Sequence, residues 1–478
     1  MHPHPPSPPA AISPSLYMQG LLALRNNDAD DAVGLLTRVL TDEPEHRGAR
    51  RNLVRALLQA ERWDRVAVHA TAALARTPND PELHYALGTA LNALGCHSRA
   101  CAAFAKALSL RPDHAPSWLN MGNASADLDD LESAETLYRT AIRLDPAQPE
   151  AHTSLGYILT RQGRLNEAVR AYETAIGLCP DFAPAHWNLA TAALLSGDLK
   201  RGFAEYEWRK RHARYRSDFP PLPGPPWDGS DPAGRIILIR AEQGFGDTIQ
   251  FARYLPAIAA MGGHPVLVCH PSLLPLLATM RAVSVCAHGQ TAPDHDAWID
   301  MASLPFVFGT TLDTVPASAG YLRADPLRTA AWADRLPAGR RIGTVFGGNP
   351  RHPADRRRSI PLEQLRLPDI PGASFIDLHP GGGMRLPNLT PWMTDYAETA
   401  ALIANLDLVI AVDTSVAHLA GALGKPVWIL LPHAPDWRWG MARSDSPWYA
   451  SARLFRQPAA GDWASVLDRV FTRLMSGP

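Results

Sequence analysis

The residues of this sequence that could do chemistry gather in its second half. In IILIRAEQGFGDTIQFARYLPAI, a β-prone apolar run ends at Arg240, passes Gln243, Gly244 and Gly246, and reaches Asp247 where a helical pattern starts. Glycines let backbone approach a ligand closely, and an Asp at a helix start is by default an N-cap. Facing a cleft, the same carboxylate can take the proton of an attacking hydroxyl. In DLVIAVDTSVAHLAGALGKPVWILLP, the run Leu408–Val412 leads into Asp413, Thr414 and Ser415, then into a helix carrying His418. Free N–H groups, the helix dipole and two hydroxyls make such a junction an anion site suited to a diphosphate. Core and capping roles are the ordinary alternatives for Asp413 and His418. Between these stretches, VFGGNPRHPADRRRSIPLEQL sets Asn349 after two glycines and clusters Arg351, Arg356, Arg357 and Arg358. Guanidinium forks match phosphate oxygens. Arg356 reads as part of a solvated face, while Arg358, directly before Ser359-Ile360-Pro361 and the next helix, is the better phosphate candidate. Finally, APDWRWGMARSDSPWY supplies Trp437, Trp439, Trp448 and Tyr449, rings that can stack on a base or sugar or pack between lobes.

Positioning these groups takes an α/β framework. Short apolar runs predict strands at Ile236–Arg240, Val266–Cys269 and Ala297–Asp300, with helical stretches at 247–261 and 271–280. A second series predicts strands at Ile342–Phe346, Ser374–Leu378, Leu408–Val412 and Val427–Leu431, with helices near 392–405 and 415–423. Two such series imply two doubly wound lobes, 234–338 and 339–478, with ligands where strands end and helices begin.

The first half keeps a different rhythm. Pro44, Pro78, Pro112, Pro146 and Pro180 recur every 34 residues, and Gly88, Gly122, Gly156 and Phe104, Tyr138, Tyr172 keep step with them. This is the period of a paired-helix repeat. Small residues let two helices approach, the aromatic fills the space between neighbouring pairs, and the proline stops the second helix. Stacked pairs bury the face that one pair cannot. The resulting α-solenoid spans 15–214, after a proline-rich tail, 1–14, expected to be disordered, and before a linker, 215–233, dense in proline and glycine. Asn52, Asn120 and Asn188 share one phase of the repeat, interrupted by Ala86 and Ser154. Such amides can grip an extended peptide backbone, or can simply be tolerated near a groove.

Bulk properties exclude other classes. Although 42 of the 46 basic residues are arginine, the formal net charge is −1, so nothing resembles a nucleic-acid stripe. Five cysteines without a CxxC pair fit neither a disulfide framework nor a zinc site, and they suit a reducing compartment. The N-terminus lacks the basic and apolar regions of a signal peptide. Residues 254–280 carry no Asp, Glu, Lys or Arg, but prolines and glycines interrupt them too often for a spanning helix. A cytoplasmic location is the expectation.

The 34-residue pattern resembles tetratricopeptide repeats. RAEQGFGDTIQFARYLP, GGNPRHPADRRRSIP, VDTSVAHLAGALGKPVW and PDWRWGMARSDSPWY together resemble the glycosyltransferase family 9 domain, the ADP-heptose:lipopolysaccharide heptosyltransferase superfamily, as fused behind such repeats in bacterial proteins. That resemblance implies a GT-B fold of two Rossmann-like lobes, with the acceptor on the first and the nucleotide-sugar on the second. It implies a metal-independent inverting transferase that uses the nucleotide-sugar as substrate and needs no cofactor. Asp247 matches the family's proposed base. Asp413, Thr414 and His418 match its D-T-G-x-x-H donor motif, with Ser415 in place of the glycine, and Arg358 stands where lysine is commoner. Asn349 belongs to the same donor set, and Gln243, Gly244 and Gly246 to the acceptor loop. The stretch HPGGGMRLPNL is short and glycine-rich where related chains shape the donor pocket. The resemblance implies transfer to a protein or glycan acceptor, with the repeats recruiting a protein partner or acceptor, as in the O-GlcNAc transferases. The alternative is a non-catalytic scaffold with a degenerate transferase domain.

Overall fold

The structure is a computed structural model that describes residues 13–316, 320–351, 355–379, 386 and 389–476. HPGGGMRLPNL therefore lies outside the described residues except for His379, Leu386 and Leu389. The chain forms two compact units, Met1–Ala185 and His186–Pro478.

The first unit is a stack of helices: α1 (Ser13–Arg25), α2 (Ala29–Asp42), α3 (Arg47–Gln59), α4 (Trp63–Leu74), α5 (Pro81–Ala93), α6 (His97–Leu110), α7 (Ala115–Asp127), α8 (Leu131–Leu144), α9 (Pro149–Arg161) and α10 (Leu165–Leu178). Within a pair, the second helix lays its ring on the glycine of the first. A Cβ on Gly88 would lie 2.7 Å from the Phe104 ring, on Gly122 2.6 Å from Tyr138, and on Gly156 2.5 Å from Tyr172. The aromatic thus fills the space inside its own pair, not the space between neighbouring pairs expected from the sequence. The reason is that a missing Cβ leaves a ring-sized recess directly opposite it. Each intra-pair turn has a left-handed residue at the same phase: Asn27 (φ 63°), Glu61 (53°), Gly95 (75°), Asp129 (67°) and Gly163 (77°).

The repeat prolines do more than end helices. The carbonyl of Pro44 accepts from Arg50 Nη2 at 2.5 Å, that of Pro78 from His84 Nε2 at 2.8 Å, that of Pro112 from Trp118 Nε1 at 2.8 Å and that of Pro146 from His152 Nε2 at 3.0 Å. Each bond ties the turn to the helix that follows it, satisfying a turn carbonyl outside both helices.

The second unit takes in the last helical pair, α11 (Ala183–Ser196), within which the division falls, and α12 (Leu199–Tyr206). The sequence counts this pair with the superhelix up to 214. In the structure, Phe203 of α12 instead meets Trp437 edge-on at 5.5 Å and Trp448 at 6.5 Å. Two all-parallel sheets follow. The first holds β1 (Ile236–Arg240), β2 (His264–Cys269), β3 (Ser284–Ala287) and β4 (Ala297–Asp300) in the order β3-β2-β1-β4. Register aligns Ile239 with Leu267 on one side and Ile299 on the other. The second sheet holds β5 (Arg340–Val345), β6 (Ala373–Asp377), β7 (Leu408–Val412), β8 (Val427–Leu431) and β9 (Ala452–Arg456) in the order β6-β5-β7-β8-β9. Every residue of β7 is buried, as its unbroken apolar run requires of a central parallel strand. Both sheets reverse their winding direction once, between β1 and β4 and between β5 and β7. These are the two crevices where such folds bind ligands, at the carboxyl ends of the strands.

Candidate functional site

At the first crevice, buried ion pairs fix the loop after β1. Arg240 and Asp300 pair across β1 and β4 at 2.7 Å. Glu242 pairs with Arg209, just beyond α12, at 2.9 Å, and accepts from Ala302 N–H at 3.3 Å. Burial pushes the Glu242 carboxyl above its usual range, Arg209 opposing. Gln243 donates to the Tyr206 hydroxyl at 2.7 Å. The loop then turns at Gly244 into the helix Phe245–Phe251, and Asp247 reaches back to accept Gly244 N–H at 3.1 Å. The N-cap is therefore Gly244 and not Asp247, which stands at the third helical position and satisfies the cap's own N–H through one oxygen.

At the second crevice, Asp413 leaves β7, and Thr414 begins the helix Ser415–Ala422. Thr414 makes no side-chain cap, and its hydroxyl is buried without a partner among the described residues, so the helix start keeps its donors. Ser415 Oγ lies 2.7 Å from the Tyr396 hydroxyl. Burial pushes the Asp413 carboxyl up to about 6; the Asp436 charge adds to this, and Arg438 and Arg358 oppose it. His418 is buried, and its basicity falls well below the usual value because of burial, then Arg438, Arg253 and Arg358. The ring is therefore neutral. Burial also keeps Tyr449 protonated, and its hydroxyl lies 2.8 Å from His418 Nδ1. With Tyr449 donating, the ring proton resides on Nε2, 3.8 Å from Asp413 Oδ1, as a neutral donor facing the start of the helix.

The loop after β5 brings in Arg358. Its Nε donates to Asp355 Oδ1 at 3.4 Å, and Ser359 ties the loop by accepting Gly348 N–H at 2.9 Å. A Cβ on Gly348 would sit 2.4 Å from Asp355 Oδ1 and 2.8 Å from Arg358 Nε, so only glycine admits this pair. Asn349 is exposed and uses its Oδ1 to accept Arg351 N–H at 3.0 Å.

The two crevices converge. A Cβ on Gly246 would fall 2.8 Å from the His418 ring, so the helices that follow β1 and β7 pack together at that point. Arg438, not singled out in the sequence, joins them: it donates to Asp247 Oδ1, to Gln250 Oε1 and, at 2.8 Å, to Asp436 Oδ1. Its signal was a cation between two tryptophans in DWRW. Trp437, Trp439, Trp448 and Tyr449 are all buried, and Trp437 meets Trp448 edge-on at 5.7 Å. Of the two roles open to these rings, the structure shows packing. Among the described residues no three His, Cys, Asp or Glu side chains form a metal-binding group, and no helix is long and apolar enough to cross a membrane.

In the first unit two of the amides that share a phase of the repeat bond between repeats: Asn52 donates to Tyr17 at 3.0 Å and Asn120 to Tyr85 at 3.1 Å, each one repeat upstream. Asn188, in the second unit, is half-buried.

Comparison with known proteins adds the following. Tetratricopeptide-repeat families match residues 23–90, 81–114, 122–163 and 156–197. Glycosyltransferase family 9 (heptosyltransferase) matches residues 383–458. The chain is 28% identical to Protein FlbA of Caulobacter vibrioides over 95% of its own length and 77% of that protein. It is similar to the crystal structure of TTC0263, a tetratricopeptide-repeat protein of Thermus thermophilus, at 25% identity and a TM-score of 0.33, covering 38% of this chain and 100% of that one. A structure of Pseudomonas aeruginosa pilF is similar at 16% identity and a TM-score of 0.37, covering 43% of this chain and 95% of that one.

Proposed function

We propose that this chain, which carries tetratricopeptide repeats followed by a glycosyltransferase family 9 domain, transfers a sugar from a nucleoside-diphosphate donor to an acceptor hydroxyl, with the repeats recruiting a protein partner or acceptor. One observation carries the reading. Asp247, from the β1 crevice, and His418, with the unpartnered Thr414 hydroxyl, from the β7 crevice, are brought together through Gly246 and Arg438.

In this reading the donor diphosphate lies on the start of the Ser415–Ala422 helix. Thr414, the neutral Nε2–H of His418 and Arg358 hold the charge that grows as the diphosphate departs. Fixed donors of this kind are worth roughly 3–4 kcal/mol each in a transition state. Asp247 takes the acceptor's proton as the acceptor oxygen bonds to the anomeric carbon from the opposite face. The bond to the diphosphate breaks in the same step, and the configuration inverts.

The test is a thermal-shift panel of ADP-, GDP-, UDP- and CDP-sugars on the purified chain. The expected result is protection by one nucleotide class that is lost in His418→Ala and Arg358→Ala. Release of nucleoside diphosphate from that donor is expected to fall at least a hundredfold in Asp247→Ala, as for loss of a general base. Silence across the panel would favour a scaffold, with partner binding by the repeats as the remaining function.

A further inference from the structure

Arg438 connects both lobes at the reacting centre. It rises from the turn Trp437–Trp439, lies over the Trp437 ring at 4.3 Å and approaches the Phe251 ring at 5.9 Å. Its Nε is held by Gln250, one Nη by Asp436 at 2.8 Å and the other by Asp247. The side chain is buried, so this charge is weakly screened. Its partner Asp247 follows Gly246, which lies against the His418 ring, so the charge of Arg438 bears on Asp413 and His418 at the β7 crevice. Asp247, for its part, has Oδ1 on Arg438 and Oδ2 on Gly244 N–H. Of the two carboxylates on Arg438, Asp436 belongs to its own turn, while Asp247 comes from the other lobe and is the one an incoming anion could replace. That carboxylate holds the guanidinium now, and a diphosphate arriving at the helix start offers more charge in a geometry that fits the same fork.

Resting on the transferase reading above, we propose that Arg438 is a positioning residue passed between these two anions. It holds Asp247 until a nucleoside diphosphate draws it away, so that donor binding precedes proton abstraction. Gln250, whose Oε1 receives Arg438 Nε, supplies the pivot. The proton then moves from the acceptor hydroxyl to the carboxylate that Arg438 has released. An acceptor arriving first finds that carboxylate engaged.

The experiment reads binding alone. Calorimetric titration of the full chain with ADP, GDP, UDP and CDP identifies the nucleotide that the wild type binds. With that nucleotide, Asp247→Asn is expected to tighten binding about tenfold, the scale of one charge-assisted hydrogen bond gained. In an Arg438→Met background the same Asp247→Asn change is expected to gain twofold or less. Arg438→Gln, which also lacks the charge, closes the cycle should the methionine variant fail to fold. An equal gain in both backgrounds would mean simple relief of charge repulsion and would overturn the proposal, as would no gain in Asp247→Asn itself. No binding by the wild type would overturn the transferase reading, and this proposal with it.

Discussion

Replacing Asp413 by Asn tests whether the β7 crevice is built at the expense of stability. The folded carboxyl titrates at about 6 against an ordinary 3.8, because burial penalises its charge and Asp436 repels it, with Arg438 and Arg358 only partly compensating. Between these two pH values the folded chain keeps a proton that the unfolded chain has lost. Stability therefore falls as pH rises through the window and stays lower above it. A shift of about two units, at roughly 1.4 kcal/mol per unit, sets the cost at neutral pH at about 3 kcal/mol. Asn is nearly isosteric with the protonated acid and does not titrate. Asp413→Asn is thus expected to match the wild type at pH 4 and to exceed it by about 2–3 kcal/mol at pH 7.5. Urea unfolding across pH 4–8, followed by tryptophan fluorescence of the second unit, measures this difference. A variant whose advantage is the same at both ends, or that is weaker at pH 7.5, refutes the assignment of Asp413 as a buried, repelled carboxylate.

Three further outcomes follow from the packing. Gly156→Ala sets a methyl 2.5 Å from the Tyr172 ring and is expected to destabilise the first unit by about 1–3 kcal/mol, measured by chemical denaturation. Glu61→Gly relieves a left-handed non-glycine turn (φ 53°) and is expected to stabilise the same unit by about 0.5–1 kcal/mol in that assay. Arg209→Met leaves Glu242 charged and unpaired in the core and is expected to cost about 3–5 kcal/mol; adding Glu242→Leu is expected to recover most of the loss of thermal stability.

Legibility followed the range of the interaction. β1, β4, β7 and β8 were readable to the residue because each is a short apolar run bounded by turn-forming residues. β3 and β9 were not: both are edge strands, β3 opens on an exposed serine and β9 carries two arginines among its apolar side chains, so neither makes a continuous buried run. The helix expected over 247–261 breaks at Ala252–Tyr254, just ahead of Pro256. The repeat period gave the helical pairs, and the left-handed turns and proline carbonyl bonds keep the same 34-residue step. Those went unread because the residues filling them change type from Asn to Glu to Gly, and from Arg to His to Trp. Asp247, Asp413 and His418 stood in recognisable junctions, but the pairing of Asp247 with Arg438 spans 191 positions, and no local pattern carries it.

The distribution of charge distinguishes the two crevices in a way that bears on function. At the first, two buried cations are matched: Arg240 meets Asp300 and Arg209 meets Glu242. Around the second, Asp413 is repelled by Asp436, His418 is held neutral, and Arg253 is buried with carbonyls of Gln250 and Pro316 and the rings of Tyr321, Trp448 and Tyr449 about it. Among the described residues no carboxylate lies within ion-pair distance of Arg253. Unpaired buried charge lowers stability, and packing alone would favour replacing it with apolar groups. The arrangement gains only if something brings the missing negative charge, and a diphosphate seated on the Ser415–Ala422 helix would lie among Arg358, Arg438 and the field of Arg253. Arg253 reaches this crevice from the first lobe, and the stability that its unpaired charge costs is what an anion bound there would recover.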